Sequence, residues 1–265
     1  MALIDLQRAA RESQQFSARE VAALQPLGWL ARGWRDLLAC PVPGLMHGAA
    51  ITAFGALLLM LARERFWLLS GAFSGFLIVA PILATGLYRV SRELEQGRRT
   101  PLREALAVWV PRDGRLIVFG MLLGFAGTGW VMTSASLVTG FSSLPVTRPL
   151  EFIRHVVLDD SSWLFPVWLA LGGVLAAPVF ASSVVALPLL LDSRSGVLGA
   201  VLTSWRVVLL NPVPLALWAA LLLALTLAAM ACALVGLVVV VPWLAHASWH
   251  AYRDLVERRA GSWPG

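Results

Sequence analysis

Long runs without a charged residue restrict the possible folds of this chain more than any other feature. About 18 or more apolar residues in a row indicate a membrane-spanning helix, because that length crosses a hydrocarbon core of about 30 Å. The runs are Leu45–Ala62, Phe66–Tyr88, Leu116–Leu144, Ser161–Leu191 and Val207–Tyr252. Apolar residues make up 58% of the chain and charged residues 14%, which excludes a disordered chain, a disulfide scaffold and a nucleic-acid-binding module. We therefore expect a protein that lies in the lipid bilayer.

The last of these runs is too long for one span. At 1.5 Å per residue, a helix over Val207–Tyr252 would be about twice as long as the hydrocarbon core is thick. We expect the chain to turn back near Ala228–Ala233, although neither Gly nor Pro marks a turn there. The predicted fold class is thus an all-α membrane protein with six transmembrane helices.

The arginines predict the orientation of these helices. All 21 basic residues are arginine. If the amino terminus is cytoplasmic, seventeen of them lie on the cytoplasmic side, and only Arg63, Arg65, Arg148 and Arg154 lie outside. Positive residues concentrate on the cytoplasmic side of membrane proteins. We therefore predict cytoplasmic termini and a multi-pass protein of a bacterial inner membrane.

An internal repeat predicts how the six helices are organised. Trp34–Pro43 and Trp205–Pro214 share the pattern W-R-x-x-L-x-x-P-V-P at an offset of 171, and Pro101–Trp109 resembles it more faintly. Trp and Arg before a proline are typical of an interfacial amphipathic helix that leads into a span. We predict three helical hairpins, each preceded by such a helix. The alternative is ordinary membrane-flank chemistry that arose twice.

The repeat also sets the predicted boundaries. A polar cytoplasmic segment, 1–23, precedes a membrane domain, 24–256, and a cytoplasmic tail, 257–265, follows it. Within the membrane domain the hairpin units are 24–97, 98–192 and 193–256.

Three of the four histidines form a candidate cofactor site. His246 and His250 are four residues apart and share a helix face, and His47 begins the first span at the same predicted depth. Imidazoles from two helices could hold haem or copper, and Met46 beside His47 would suit copper(I). The alternative is that the histidines bind headgroups or backbone carbonyls in an aromatic belt. We expect no cofactor as the default, with haem or copper as the alternative.

The charged ends of two helices form a candidate partner surface. Its residues are Arg92, Glu95, Trp249, Arg253 and Asp254. The repeat places both R-[DE]-L ends at one depth, which predicts that Arg253 lies beside Asp254 and the Arg92–Glu93 pair. Such a cluster could dock a protein or anionic lipid. The alternative is a solvated helix end with local ion pairs.

Four sequence patterns support a family resemblance. They are Pro81–Tyr88, Ser91–Gly97, the set Leu191-Asp192, Thr203-Ser204-Trp205 and Asn211-Pro212, and the closing pattern His246–Leu255. Together they resemble the DUF2189 family of proteobacterial integral membrane proteins, from Gly28 to Val256. The resemblance implies no assigned activity. Some family members carry the name of a cytochrome c oxidase subunit, which suggests a respiratory oxidase as a partner but does not make this chain a catalytic subunit.

The expected function follows mainly from the lack of charges within the spans. Ion-coupled transport usually uses ionisable groups inside the membrane, and the middle of each predicted span has none. We therefore expect no enzyme, but an accessory, assembly or scaffold component of a larger membrane complex, such as a respiratory oxidase. The alternatives are a channel or transporter for a small solute or metal ion, and a haem- or copper-binding membrane protein.

Overall fold

Helices predominate in the computed structural model, which describes residues 2–61, 84–98, 104, 113–159 and 163–259. The first elements are helix α1 (Ala2–Gln14), strand β1 (Phe16–Ala18), helices α2 (Gln25–Ala39) and α3 (Pro41–Leu61), and helix α4 at 84–95. The middle elements are α5 (Gly114–Phe141), α6 (Pro149–Phe152), a π-helical turn (Ile153–Val157) and α7 (Leu164–Ser183). The last elements are α8 (Ala186–Asp192), α9 (Val197–Leu210), α10 (Pro212–Ala231), α11 (Leu237–Leu255) and strand β2 (Val256–Arg258).

Four helical stretches among the described residues are long and apolar enough to cross a membrane. They are Pro41–Leu61, Gly114–Phe141, Leu164–Asp192 and Pro212–Ala231. They correspond to the first, third, fourth and fifth predicted spans, which confirms the membrane class. The predicted second span, Phe66–Tyr88, lies largely outside the described residues. That the chain has six spans and that both termini are cytoplasmic stay predictions.

The longest apolar run does turn back on itself. Helix α10 ends at Ala231 and α11 begins at Leu237, close to the predicted turn. Ala233 and Leu234 have φ angles of 51° and 67°, a left-handed conformation that is uncommon for residues other than Gly. Helix α11 carries charged and histidine residues in its second half, so it is less apolar than the other spans.

The two copies of the repeated pattern adopt the same local structure. In the first copy, α2 and α3 are separated by Cys40, with φ −140° and ψ 67°. In the second copy, α9 and α10 are separated by Asn211, with φ −125° and ψ 54°. Proline follows at once in both copies and begins the next helix, where its missing N–H is harmless. The duplication itself stays a prediction.

The described residues form two compact units. The first unit contains 2–52, 84–98, 104, 113–119 and 180–259, and the second contains 53–61, 120–159 and 163–179. In the second unit, Trp168 donates a hydrogen bond to the Ser134 hydroxyl at 2.6 Å and packs against Trp130 and Phe152. A small core of valine and leucine residues lies beside this aromatic cluster.

The first unit is built around the contact between α2 and α11. Gly33 lies against the backbone of Ala247, and a Cβ at Gly33 would come within 2.8 Å of the Ala247 Cα. Only a glycine permits this close approach. Trp29 and Trp249 are almost fully buried, with 0% and 1% exposure, and Trp29 packs edge-on against Trp218 at 5.6 Å.

The two ends of the described chain meet in the first unit. Helix α1 packs against α9, and β1 pairs antiparallel with β2, with Phe16 opposite Arg258 and Ala18 opposite Val256. The predicted helical class is confirmed, and these two short strands add a small sheet that the sequence did not predict. Its ladder satisfies backbone groups that would otherwise need water.

Candidate functional site

The second half of α11 is the most connected polar region that the structure describes. Six of its side chains, between His246 and Asp254, contact residues of α2, α4 or α8 in the first unit. This region contains most of the candidate residues predicted from the sequence.

His246 is completely buried, with 0% exposure. Its Nδ1 atom lies 2.8 Å from the Ser91 hydroxyl of α4, whereas its Nε2 atom has no hydrogen-bond partner among the described residues. Nε2 faces Gly44 of α3, where a Cβ would lie 3.7 Å from it, 2.7 Å from a Leu37 methyl and 3.2 Å from Pro242. An unsatisfied buried nitrogen costs about 1–3 kcal/mol, so this position calls for an explanation.

His47 is buried in α3, with 1% exposure. Its Nδ1 atom lies 2.6 Å from the Pro43 carbonyl oxygen. Because a carbonyl oxygen only accepts, Nδ1 must carry the hydrogen, and in the neutral ring Nε2 then carries the lone pair. This tautomer is the one in which Nε2 can act as a ligand.

His250 is held by carboxylates. Its Nε2 atom lies 2.9 Å from Asp36 of α2, and its Nδ1 atom lies 3.9 Å from Glu95 of α4. In the part of the chain that the structure describes, no three His, Cys, Asp or Glu side chains form a group that could hold a metal ion. The joint cofactor site of His47, His246 and His250 therefore stays a prediction.

Glu95 is the centre of the predicted partner surface. One of its oxygens accepts a hydrogen bond from the Trp249 indole at 3.0 Å, and the other lies 3.2 Å from Nε of Arg253. Arg253 was expected beside Glu93, but Glu93 pairs instead with Arg98. The correction has a geometric reason, because residues 91 and 95 share the face of α4 that meets α11 and residue 93 does not.

Arg92 and Asp254 lie in separate contacts. Arg92 is 3.4 Å from Asp192, which also accepts a hydrogen bond from the Tyr252 hydroxyl at 2.9 Å. The structure thus brings Glu95, Trp249 and Arg253 together, and it pairs Arg92 and Asp254 with other residues.

Asp254 joins α11 to α2. Its carboxylate accepts hydrogen bonds from Gln25 at 2.7 Å and Trp29 at 2.9 Å, and it forms an ion pair with Arg32. Burial raises the pKa of Asp254, but the hydrogen bonds from Arg32, Gln25 and Trp29 outweigh burial, so the pKa lies below its ordinary value. The charged form of this carboxylate is the form that holds the two helices together.

The residues of α2 that bind the second half of α11 were not among those predicted from the sequence. On α2 they are Gln25, Trp29, Arg32 and Asp36. Their spacings of four, three and four place them on one helix face, so the stripe was visible in the sequence. Nothing local, however, identified α11 as its partner.

Together, the apolar helices and the polar contacts at their ends define an α-helical integral membrane protein. Residues 68–192 match the model of the DUF2189 family, described as a predicted integral membrane protein, so the family resemblance is confirmed over this segment. The matched segment contains Arg92 and Glu95 but not the closing pattern His246–Leu255. No curated protein and no solved structure matches the chain.

Proposed function

We propose that this protein is a non-catalytic accessory, assembly or scaffold component of a larger complex in a bacterial inner membrane, such as a respiratory oxidase. The supporting observation is that the polar side chains in the second half of α11 form hydrogen bonds with other residues of the first unit. These contacts make a rigid framework of α2, α4, α8 and α11, as a scaffold needs.

The burial of the Ser91–His246 pair supports a non-catalytic role. Ser91 and His246 are within hydrogen-bond distance, as a nucleophile and its base would be. Both residues are 0% exposed, so a substrate cannot reach the Ser91 hydroxyl. The hydrogen bond thus stabilises the contact between α4 and α11.

The exposed part of the predicted partner surface is basic. The side chains of Arg92 and Arg253 are 42% and 49% exposed, whereas Trp249 is buried and Asp254 is bound by α2. A protein partner would therefore meet the two guanidinium groups first, and we expect it to present carboxylates there.

The test is affinity purification from native membranes with quantitative mass spectrometry. We expect other membrane proteins to co-purify with the wild type at a constant ratio. Arg253→Gln should lower that ratio by at least about threefold, since a charged hydrogen bond at an interface contributes roughly 1.5–3 kcal/mol. Arg35→Gln is the matched control, because Arg35 is an exposed arginine on α2. A wild-type protein that purifies alone after chemical crosslinking would contradict the proposal.

The orphaned nitrogen of His246 favours a second candidate function, the binding of haem or copper. A copper ion suits the site better, because the packing of Gly44, Leu37 and Pro242 around Nε2 gives little room for a porphyrin. His246 would be one ligand, and the prediction from the sequence adds His47.

Metal analysis and absorption spectra of the purified protein test this candidate. We expect copper at one equivalent or a Soret band in the wild type and in His250→Ala, and neither in His246→Ala. His250→Ala is a suitable control because both of its ring nitrogens face carboxylates. Equal copper content in all three proteins would exclude His246 as a ligand.

A further inference from the structure

A polar cavity of about 710 Å³ lies in the first unit, away from the histidines. It is partly open to solvent and is lined by the end of α1, Phe16 of β1, the last residues of α8 and those that follow it, and single side chains from α4, α5 and β2. The lining residues are Glu12, Gln15, Phe16, Arg92, Arg115, Leu191, Asp192, Ser193, Arg194, Ser195 and Arg258. Four arginines from four separate segments thus meet around one space, which we call the arginine cavity.

Arg115 builds the wall of the arginine cavity. Its guanidinium donates hydrogen bonds to the carbonyl oxygens of Leu190, Ser193 and Ser195, between 2.7 and 3.0 Å. It also donates to both oxygens of Asp113, and this hydrogen bond lowers the pKa of Asp113. The N–H groups of the Arg115 guanidinium therefore all have acceptors within the protein, and the side chain holds the residues that follow α8 in place.

The other cationic groups are less well neutralised. Arg92 lies 3.4 Å from Asp192, a carboxylate that the Tyr252 hydroxyl also contacts. Arg194 and Arg258 are exposed, and no carboxylate of the described residues lies within ion-pair distance of either. The cavity therefore carries more positive than negative charge.

Glu12, the other carboxylate of the cavity, has partners of its own. It accepts a hydrogen bond from the Gly196 N–H at 2.8 Å and pairs with Arg8 at 3.0 Å. Because like charges repel, the convergence of Arg194 and Arg258, which lack carboxylate partners among the described residues, on the Arg92–Asp192 pair indicates a site for an anion.

The position of the cavity narrows the type of anion. Asp192 is the last residue of one candidate span, and Arg115 is the second residue of another. The cavity therefore lies at the level where apolar helices end, which is the depth of lipid phosphate groups. Its volume is within the range of small-molecule sites, about 300–1,000 Å³.

We propose that the arginine cavity binds a phosphate group on a small anionic ligand, with Arg194 and Arg258 as its principal contacts. Guanidinium groups match phosphate oxygens with paired hydrogen bonds. The phosphate group comes from the headgroup of an anionic lipid or from a soluble phosphate compound.

Binding measurements on the full-length protein in detergent test the proposal. The two probes are inorganic pyrophosphate, followed by calorimetry, and phosphatidylglycerol, followed by native mass spectrometry with phosphatidylcholine as the uncharged reference. The double variant Arg194→Gln, Arg258→Gln should weaken binding at least about tenfold, because two charged hydrogen-bond donors are lost. Arg35→Gln removes the same type of charge outside the cavity and should bind as the wild type does.

A single variant guards against a folding defect. Arg258 belongs to β2, so its loss could disturb the strand, whereas Arg194 lies between helices. Arg194→Gln alone should weaken binding at least about threefold. Retention of phosphatidylglycerol without binding of pyrophosphate would support a lipid source, and binding of pyrophosphate without selective retention of phosphatidylglycerol would support a soluble source. Equal affinity of wild type and Arg194→Gln for both probes, or no binding of either probe, would overturn the proposal.

Discussion

The junctions at Cys40 and Asn211 share a sequence pattern and a backbone conformation, yet the two helices that precede them pack on different parts of the protein. Helix α2 lies against α11, and α9 lies against α1. The equivalent arginines show the difference most clearly. Arg35 is exposed, whereas Arg206 donates hydrogen bonds to the backbone oxygens of Ser13 and Phe16.

The residues at the junctions differ in the same way. The Asn211 side chain is 2% exposed, donates to the Arg19 carbonyl at 2.9 Å and accepts from the Val21 N–H at 3.0 Å. It thus fastens the segment that follows β1, whereas Cys40 is only partly buried. The shared pattern thus determines the path of the backbone at each junction, whereas the contacts of the preceding helix depend on the segment that packs against it, α11 for α2 and α1 for α9.

The largest effect should come from Asn211→Ala. The change removes three hydrogen bonds of a buried side chain, to the Arg19 and Val207 carbonyls and from the Val21 N–H. At about 0.5–1.5 kcal/mol for each hydrogen bond, we expect a loss of roughly 2–4 kcal/mol. Cys40→Ala, at the equivalent position, should lose less than about 1 kcal/mol, because a thiol is a weak hydrogen-bonding group. Thermal unfolding in detergent measures both. Equal losses of stability in the two variants would show that Asn211 and Cys40 stabilise the fold equally, which would contradict the comparison.

Asp254→Asn should weaken the contact between α2 and α11 and lower the free energy of unfolding by about 2–3 kcal/mol at neutral pH, because it removes the charge that binds Arg32. The pKa of Asp254 is lowered in the folded protein, so its stabilisation is present above the ordinary value of about 3.9 and is lost as the pH falls through the lowered value.

Hydrogen exchange at a series of pH values checks this prediction. The protection of amides in Gln25–Ala39, taken relative to the chemical exchange rate at each pH, should fall below about pH 4 in the wild type, and the difference between wild type and Asp254→Asn should then disappear. Protection at Asn211 should depend less on pH, because its contacts are made by neutral groups. A pH-independent difference between the two proteins would show that the charge of Asp254 does not matter.

The smallest effect should come from a pair of equivalent glycines. A Cβ at Gly199 would lie 2.8 Å from Oε2 of Glu12 and 3.0 Å from its Cβ, whereas a Cβ at Gly28 would meet only Gln25, at 4.0 Å. Gly199→Ala should therefore push α1 away and destabilise it by about 1 kcal/mol. Gly28→Ala should stabilise the protein by about 0.5–1 kcal/mol, since Ala favours a helix. Limited proteolysis of α1 reports the first change, and a shared response would contradict the comparison.

The apolar helices could be predicted from the sequence because length and hydropathy are local properties. The predicted span Leu45–Ala62 agrees with α3 to within a few residues. The turn before α11 was placed almost correctly, but its left-handed residues, Ala233 and Leu234, were not foreseeable. Neither residue prefers that conformation, so the packing of the two flanking helices must impose it.

The contacts of the candidate site were less predictable because they join distant segments. Helical spacing places His246, Trp249 and Arg253 on one side of α11, and all three contact α4. Which face of α4 meets that side depends on how the helices pack, and the match of two short motifs does not contain this information. For this reason Glu93 was predicted to lie beside Arg253, where the structure has Glu95. The contact between α1 and α9 was not predicted either, because the sequence of α1 indicates only a polar segment and not the helix that it packs against.

The pairing of β1 with β2 has a consequence for biosynthesis. Ser17 and Glu257, which meet in this sheet, are 240 residues apart in sequence. At a synthesis rate of about 5–20 residues per second, β1 leaves the ribosome roughly 10–50 s before its partner strand exists. Throughout that interval the nascent chain carries an unpaired strand edge at its amino end. The sheet closes only after α11 and β2 have been made, so a chain that stops short of β2 leaves the edge of β1 open.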